Sequence, residues 1–430
     1  MKQFAQWRTT FRPSLPNMLL LIAGTFILTN FIALTALHPH NWVAHSLAVG
    51  GWGICAFVGH QVLNRRLPNR DPLLFPTVMF LSGWGLVMIA RLVPRFANRQ
   101  TTWLAISVAA MLVIANLTQI SRWLRKYRYL LLFGGLGLLV STIVLGRNPS
   151  GQIGAPPLWL GLGGIYFQPS ELLKIILVAF VSSYLAEQYP LLRAQGLTTG
   201  NRLRALSPRI VGPILLMWGL SVVILVWQRD LGTAMLFFIV FLILLYIASG
   251  YSLILIGGAA LILLAGIIAY TQFAVVQLRV DIWLNPWPEA DGRAFQLVQS
   301  LQAFAAGGIL GQGIGQGAPT YIPVVHSDFA FAAVAEEYGL LGVVVILSCL
   351  AMIVARGFKI AMRRQQHPFN RFLAVGLSSL IATQSIFIMG GAIRLLPLTG
   401  VTLPFLSYGG SSLLISFVMI GLLLRLSAEE

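Results

Sequence analysis

Apolar runs of about 20 residues recur along the whole chain, each long enough to cross a hydrocarbon core of about 30 Å as a helix. Short polar gaps separate them. The pattern predicts twelve helices, near 17–37, 42–62, 73–91, 101–118, 129–146, 169–187, 210–227, 231–249, 253–273, 328–354, 372–393 and 405–425. No stretch alternates apolar and polar residues as a membrane β-barrel would. The expected fold is all-α and polytopic, with two N-terminal helices that look separable from the ten that follow. One stretch breaks the rhythm. Residues 279–339 are the longest part of the chain that is not plainly apolar, and they lead into the tenth helix.

The charges orient these helices. Lys2, Arg8 and Arg12 precede the first helix. Further cations gather at Arg65, Arg66 and Arg70, at Arg122, Arg125, Lys126 and Arg128, at Arg193, Arg202, Arg204 and Arg209, and at Arg356, Lys359, Arg363, Arg364 and Arg371. With an even number of helices, every one of these gaps falls on the same side. The positive-inside rule makes that side the cytoplasm, with both termini in it and the 279–339 stretch outside. This distribution also accounts for the net charge of +17, which in a soluble protein would suggest nucleic acid. Composition agrees: 57% of residues are hydrophobic and 10% charged, with mean hydropathy +0.82, against about 25% charged in soluble domains. Cys55 and Cys349 lie inside apolar runs and form no disulfide or metal pattern. The first apolar run lacks a convincing cleavage site and reads as an anchor. No internal repeat of the transporter kind is evident.

Ionisable residues inside a bilayer cost about 2.5–3.5 kcal/mol each, so each asks for a reason. Six of the twelve acids lie in the outer stretch: Asp281, Glu289, Asp291, Asp328, Glu336 and Glu337. Asp71, Glu187, Glu429 and Glu430 occupy gaps or helix ends and read as structural or solvated. Glu171 and Lys174 are three apart on one helix, so their side chains meet. They suit either a charged cavity wall, with Lys174 facing a phosphate, or a self-neutralising pair. Gln168, Pro169 and Ser170 mark that helix's start. Asp230 suits a helix cap, with a substrate or metal role as the second reading. Asp328, beside His326 and Ser327, enters a membrane helix from an outer loop. It suits a cap or a general base whose burial raises its pKa. Glu336 and Glu337 read as structural or cavity-lining. The run Gly307–Gly317 has no preceding strand and is no dinucleotide fingerprint; it suits an anion-binding backbone or a flexible loop. Arg279 and Arg293 are candidates for a pyrophosphate, and Trp283, Trp287 and Phe295 for interfacial anchors. Spacing alone ends at a membrane protein with an outward acidic site, enzyme or transporter.

The motifs FQPSELLK (167–174), QRDLGTA (228–234), AFQLVQSLQAFAAGGILGQGIGQG (294–317), HSDFAFAAVAEEYG (326–339) and TGVTLPFLSYGGSSLL (399–414) occur in an order that resembles the SEDS family, the RodA, FtsW and SpoVE group. The resemblance covers about residues 73–425, so the chain divides into an N-terminal two-helix extension (1–72) and a ten-helix core (73–430). It implies a peptidoglycan glycosyltransferase that polymerises lipid II at the outer face of the bacterial cytoplasmic membrane and releases undecaprenyl pyrophosphate. It implies a divalent cation, Mg²⁺ or Mn²⁺. The implied partners are a class B penicillin-binding protein and other elongation or division proteins. By the same resemblance Asp328 is the essential acid, while Glu171, Lys174 and Asp230 match family positions. Arg279 and His326 complete the candidate substrate-binding set. The chain departs from the family pattern at Arg229, Val324, Ser327, Phe387 and Leu158. A lipid-linked-precursor transporter (flippase) and a non-catalytic scaffold for a penicillin-binding protein are the alternatives.

Overall fold

The computed structural model describes residues 14–148, 157–163, 165–198, 212, 219, 223, 226 and 230–429. Among these are fourteen α-helices and one short hairpin. The helices are α1 (Leu15–Leu37), α2 (Trp42–Arg66), α3 (Leu74–Leu92), α4 (Pro94–Asn116), α5 (Ile120–Lys126), α6 (Arg128–Leu145), α7 (Pro169–Thr198), α8 (Leu231–Ser249), α9 (Ser252–Gln272), α10 (Ala274–Leu284), α11 (Phe295–Gly307), α12 (Ala330–Arg363), α13 (Pro368–Ala392) and α14 (Gly410–Ala428). Strands β1 (Leu160–Leu162) and β2 (Ile165–Phe167) pair antiparallel just before α7, with Leu160 opposite Phe167.

Among the described residues ten helices are long and apolar enough to cross a membrane, and the bent pair α4 and α5, turned by 87°, would make an eleventh span. Most of the expected helix at 210–227, the cations Arg202, Arg204 and Arg209 of the gap before it and the N-terminal cations Lys2, Arg8 and Arg12 lie outside the described residues, while Arg193 falls within α7, which runs past its expected end at 187. The other expected spans appear with shifted ends. The fourth begins at Pro94 instead of near 101, because Pro94 at the first helical turn starts a polar segment that apolar counting passes over. The last begins at Gly410, since residues 401–409 are held in irregular turns. The outer stretch is not a bare loop: it contains α10, α11 and two 3-10 turns. Ile282, Ala294 and Val298 form a small buried cluster there, with Leu278 and Ala290 against it.

The core lies between α3, α7, α8, α13 and α14. Trp84, Phe75, Phe180, Phe372 and Phe417 are among its largest fully buried side chains. α14 runs along α4, and α13 packs between α12 and α7, with α8 against both α7 and α13. The periphery is apolar all round, as lipid contact requires: of α9 only Gly258 is buried. From the expected extension, α1 packs on α3 and α2 packs on α4. The indole of Trp52 donates to the carbonyl of Met79 at 2.9 Å.

Candidate active site

Asp328 lies in the turns immediately before α12. The cap position of that helix is Phe329, with no side-chain capping bond, so neither Ser327 nor Asp328 serves as a cap. Instead the Ser327 hydroxyl donates to Asp328 Oδ1 at 2.9 Å. The amides of Ser327 and Asp328 both reach back to the carbonyl of Val324, which adopts φ 56°. A second outer segment, 401–409, supports this turn from behind. Ser407 donates to the Ser327 carbonyl at 2.6 Å and accepts from the Leu403 amide at 3.1 Å. The Tyr408 amide donates to the His326 carbonyl at 2.8 Å. The His326 ring stands edge-on to Phe96 and Tyr408, which stack on each other with centroids 4.6 Å apart.

The Asp328 carboxyl is half-buried, and burial raises its pKa; the Ser327 hydroxyl and the charge of Arg279 oppose the rise. Arg279 projects from α10. Burial lowers its pKa, while Asp328 and Asp230 both favour its charged form. One of its guanidinium nitrogens lies 3.7 Å from where a Cβ on Gly400 would stand. Asp230 is the cap of α8: Oδ1 accepts from the Thr233 amide at 3.3 Å, and buried Oδ2 has no hydrogen-bond partner among the described residues. Burial raises its pKa, and it also feels the charges of Lys174 and Glu171. The capping reading of Asp230 is therefore met by one oxygen, with the second left over. Burial, and then the charge of Arg95, push the His326 pKa below its ordinary value.

Lys174 is fully buried on α7. Its Nζ donates to Glu171 Oε1 at 2.7 Å and to Gln384 Oε1 on α13 at 2.9 Å. The Gln384 amide then donates to the Thr402 carbonyl at 2.8 Å, and the Thr402 and Ser412 hydroxyls are 2.6 Å apart. The pair thus ties α7 to α13 and to the 401–409 segment. Of the six candidate residues only Glu171 and Lys174 touch directly; Asp230 lies within the influence of their charges, and Arg279 within that of Asp230 and Asp328.

The remaining polar residues of the outer stretch have other partners. Arg293 pairs with Glu289 at the surface, and the Tyr270 hydroxyl donates to Asp281 at 2.9 Å. Glu336 and Glu337 are buried in α12, where they hold Ala318 and Arg91. In the glycine run the amides of Gln312 and Gly313 are bound to α12 carbonyls, so they are not turned toward an anion. Arg394 escapes sequence reasoning. With φ 61° it donates to the carbonyls of Trp283 and Leu284 at 2.7 and 2.6 Å, and its own carbonyl accepts from the Trp283 indole. It therefore closes the end of α10, the helix that carries Arg279. A lone cation near glycines and prolines, with no acid in its turn, is the only signal for it in the sequence.

Among the described residues no three His, Cys, Asp or Glu side chains gather closely enough to hold a metal ion by themselves.

Residues 73–430 match the family model of the FtsW, RodA and SpoVE proteins, described as cell cycle protein. The chain is 37% identical over 381 residues to the peptidoglycan glycosyltransferase RodA of Mycobacterium tuberculosis, covering 86% of this chain and 80% of that one. It is 33% identical over 439 residues to RodA of Mycobacterium leprae, covering 97% and 92%. A solved structure, described as "Structural coordination of polymerization and crosslinking by a peptidoglycan synthase complex", superposes with a TM-score of 0.68 at 26% identity, over 83% of this chain and 97% of that one.

Proposed function

The chain belongs to the FtsW, RodA and SpoVE family of peptidoglycan glycosyltransferases, and from that premise we propose that it polymerises lipid II at the outer face of the bacterial cytoplasmic membrane. The observation that carries the assignment of the base is the setting of Asp328: a half-buried carboxyl with raised pKa, one hydroxyl donor and a guanidinium in its field. Asp328 accepts the proton of the 4-hydroxyl on the acceptor's N-acetylglucosamine. That oxygen attacks the anomeric carbon of the donor strand, and undecaprenyl pyrophosphate leaves with inversion. Burial brings the base toward the pH at which proton transfer is most effective.

Arg279 supplies positive charge beside the base and suits the departing pyrophosphate. Lys174 is neutralised by Glu171 and acts by holding α7, α13 and the 401–409 segment in register. His326, with Phe96 and Tyr408, gives the sugar an aromatic flank. A divalent ion, Mg²⁺ or Mn²⁺, supplies charge neutralisation at the pyrophosphate when bound. Such ions commonly take one or two carboxylates plus substrate phosphates, and the unpartnered Oδ2 of Asp230 fits that need. Both termini face the cytoplasm, and a class B penicillin-binding protein crosslinks the strands. The similarity to a synthase that couples polymerisation with crosslinking supports that partner.

The test uses purified full-length protein with its transpeptidase partner, lipid II and Mg²⁺ or Mn²⁺. Glycan polymer is expected, and its loss in Asp328→Ala. Polymer that survives this change removes Asp328 as the base. Labelled lipid crossing vesicles without polymer would favour the transporter, and neither activity the scaffold.

A further inference from the structure

The run Gly307–Gly317 and the first turns of α12 form one clasped unit. The amides of Gln312 and Gly313 donate to the carbonyls of Glu336 and Glu337 at 2.9 and 3.0 Å. In return the amides of Leu340 and Leu341 donate to the carbonyls of Gly308 and Ile309 at 2.9 and 3.2 Å. This exchange is possible because α12 is broken at Gly339, whose φ of 63° and ψ of −162° free those groups from the helix. Side chains reinforce the clasp. Glu336 Oε1 accepts from the Ala318 amide at 2.6 Å. Arg91, at the end of α3, donates to Glu337 at 3.0 Å and to the carbonyls of Gly317 and Gly315 at 3.0 and 3.4 Å. Asp328 lies between the two clamped ends, Ala318 and Glu336.

α1 closes the outside of this unit. The Tyr338 hydroxyl donates to Asn30 Oδ1 at 2.8 Å. The Asn30 amide is itself oriented by its bond to the Phe26 carbonyl at 2.7 Å. Phe26 also packs against Trp84 and Tyr338. Further along α1, Leu37 and Leu34 cover Gly315: a Cβ there would stand 2.6 Å from Leu37. An asparagine amide at mid-helix in a membrane-crossing segment is costly to insert, and its bond to Tyr338 on another helix gives it a reason to be there.

We propose that α1 is a positioning element for the base: through Asn30 and Leu37 it holds Tyr338 and Gly315, and so fixes the two ends of the segment that carries Asp328. The proposal rests on the glycosyltransferase reading, because displacement of a reacting group by about 1 Å is enough to cost a large factor in rate. The N-terminal helices then belong to the working unit, though they precede the ten-helix core.

The test compares full-length wild type, Asn30→Leu, Tyr338→Phe, the double variant and Leu37→Ala. Lipid II polymerisation, thermal unfolding in detergent and hydrogen exchange of amides 312–318 are measured on the same preparations. Each of the Asn30 and Tyr338 variants is expected to lower kcat by about 3- to 10-fold, the loss of one hydrogen bond. KM should stay unchanged, the variants should remain folded at the assay temperature with only a small drop in the unfolding transition, exchange of the clasp amides should quicken, and the double variant should be no worse than either single. Unchanged exchange overturns the proposal whatever the turnover. So does wild-type kcat in both singles, or a loss of rate matched by loss of folded protein. A wild-type chain that makes no polymer counts against the glycosyltransferase reading, while the exchange measurement still decides the clasp.

Discussion

Lys174 Nζ lies 2.7 Å from Glu171 Oε1, one turn along α7, with both residues sealed from solvent. Breaking a buried pair from one side leaves a charge without a partner, which costs about 3–5 kcal/mol. Lys174→Met is therefore expected to lower stability by about that amount and to abolish polymerisation. The double variant Glu171→Leu/Lys174→Met should recover much of the stability, yet not the activity, because Gln384 loses its donor in both. Thermal unfolding in detergent, run beside the polymerisation assay, checks both statements. A stable single variant would show that the charge is not buried as described.

With Asp328 as the proposed base, a pH dependence is expected. Burial raises its pKa and only the ionised carboxylate accepts a proton, so the rate should rise with pH through that raised value. The Ser327 hydroxyl donates to the ionised form and holds the pKa down. Ser327→Ala should shift the acid limb of kcat/KM to higher pH. Linkage gives a second readout. A carboxyl protonated more readily in the folded chain stabilises it below the ordinary carboxylate pKa, and this contribution is lost as pH rises through the folded value. Asp328→Asn should flatten stability over that window, and an acid limb unmoved by Ser327→Ala would remove the hydroxyl from the account.

At the opposite end of the bundle Asp71 joins three segments. Its carboxylate accepts from Arg356 Nε at 2.6 Å and from the Leu73 amide at 3.0 Å, while its own amide donates to Ser427 at 2.9 Å. Asp71→Ala is expected to cost about 3 kcal/mol, since Arg356 loses its partner. Turnover per folded molecule should hold, because Asp71 precedes the start of α3 while the segment bearing Asp328 is tied to Arg91 at that helix's other end. A drop in turnover without a drop in the unfolding temperature would contradict this.

The spans among the described residues are legible because a bilayer imposes length and apolarity together, and what differs is their polar ends, as at Pro94. Asp230 and the Glu171–Lys174 pair were legible because charge in an apolar helix is conspicuous and a three-residue spacing fixes a meeting. Gln384, the second partner of Lys174, was not, since nothing local links residues 210 positions apart. Arg91 with Glu337 was hidden for the same reason. α10 and α11 were missed because an 11- and a 13-residue helix at a membrane surface leave no long apolar run. Arg394 was missed because its partners are carbonyl groups, which every residue has.

The 87° turn between α4 and α5 also bears on height. Ile120 and Leu124 face the protein, while Arg122, Trp123, Arg125 and Lys126 are exposed. A short helix lying across the end of a span, with cations and a tryptophan outward, belongs among phosphate headgroups. Such a helix would act as a float, setting the depth of the bundle from one leaflet and, on the proposed function, the elevation of Asp328 over the other.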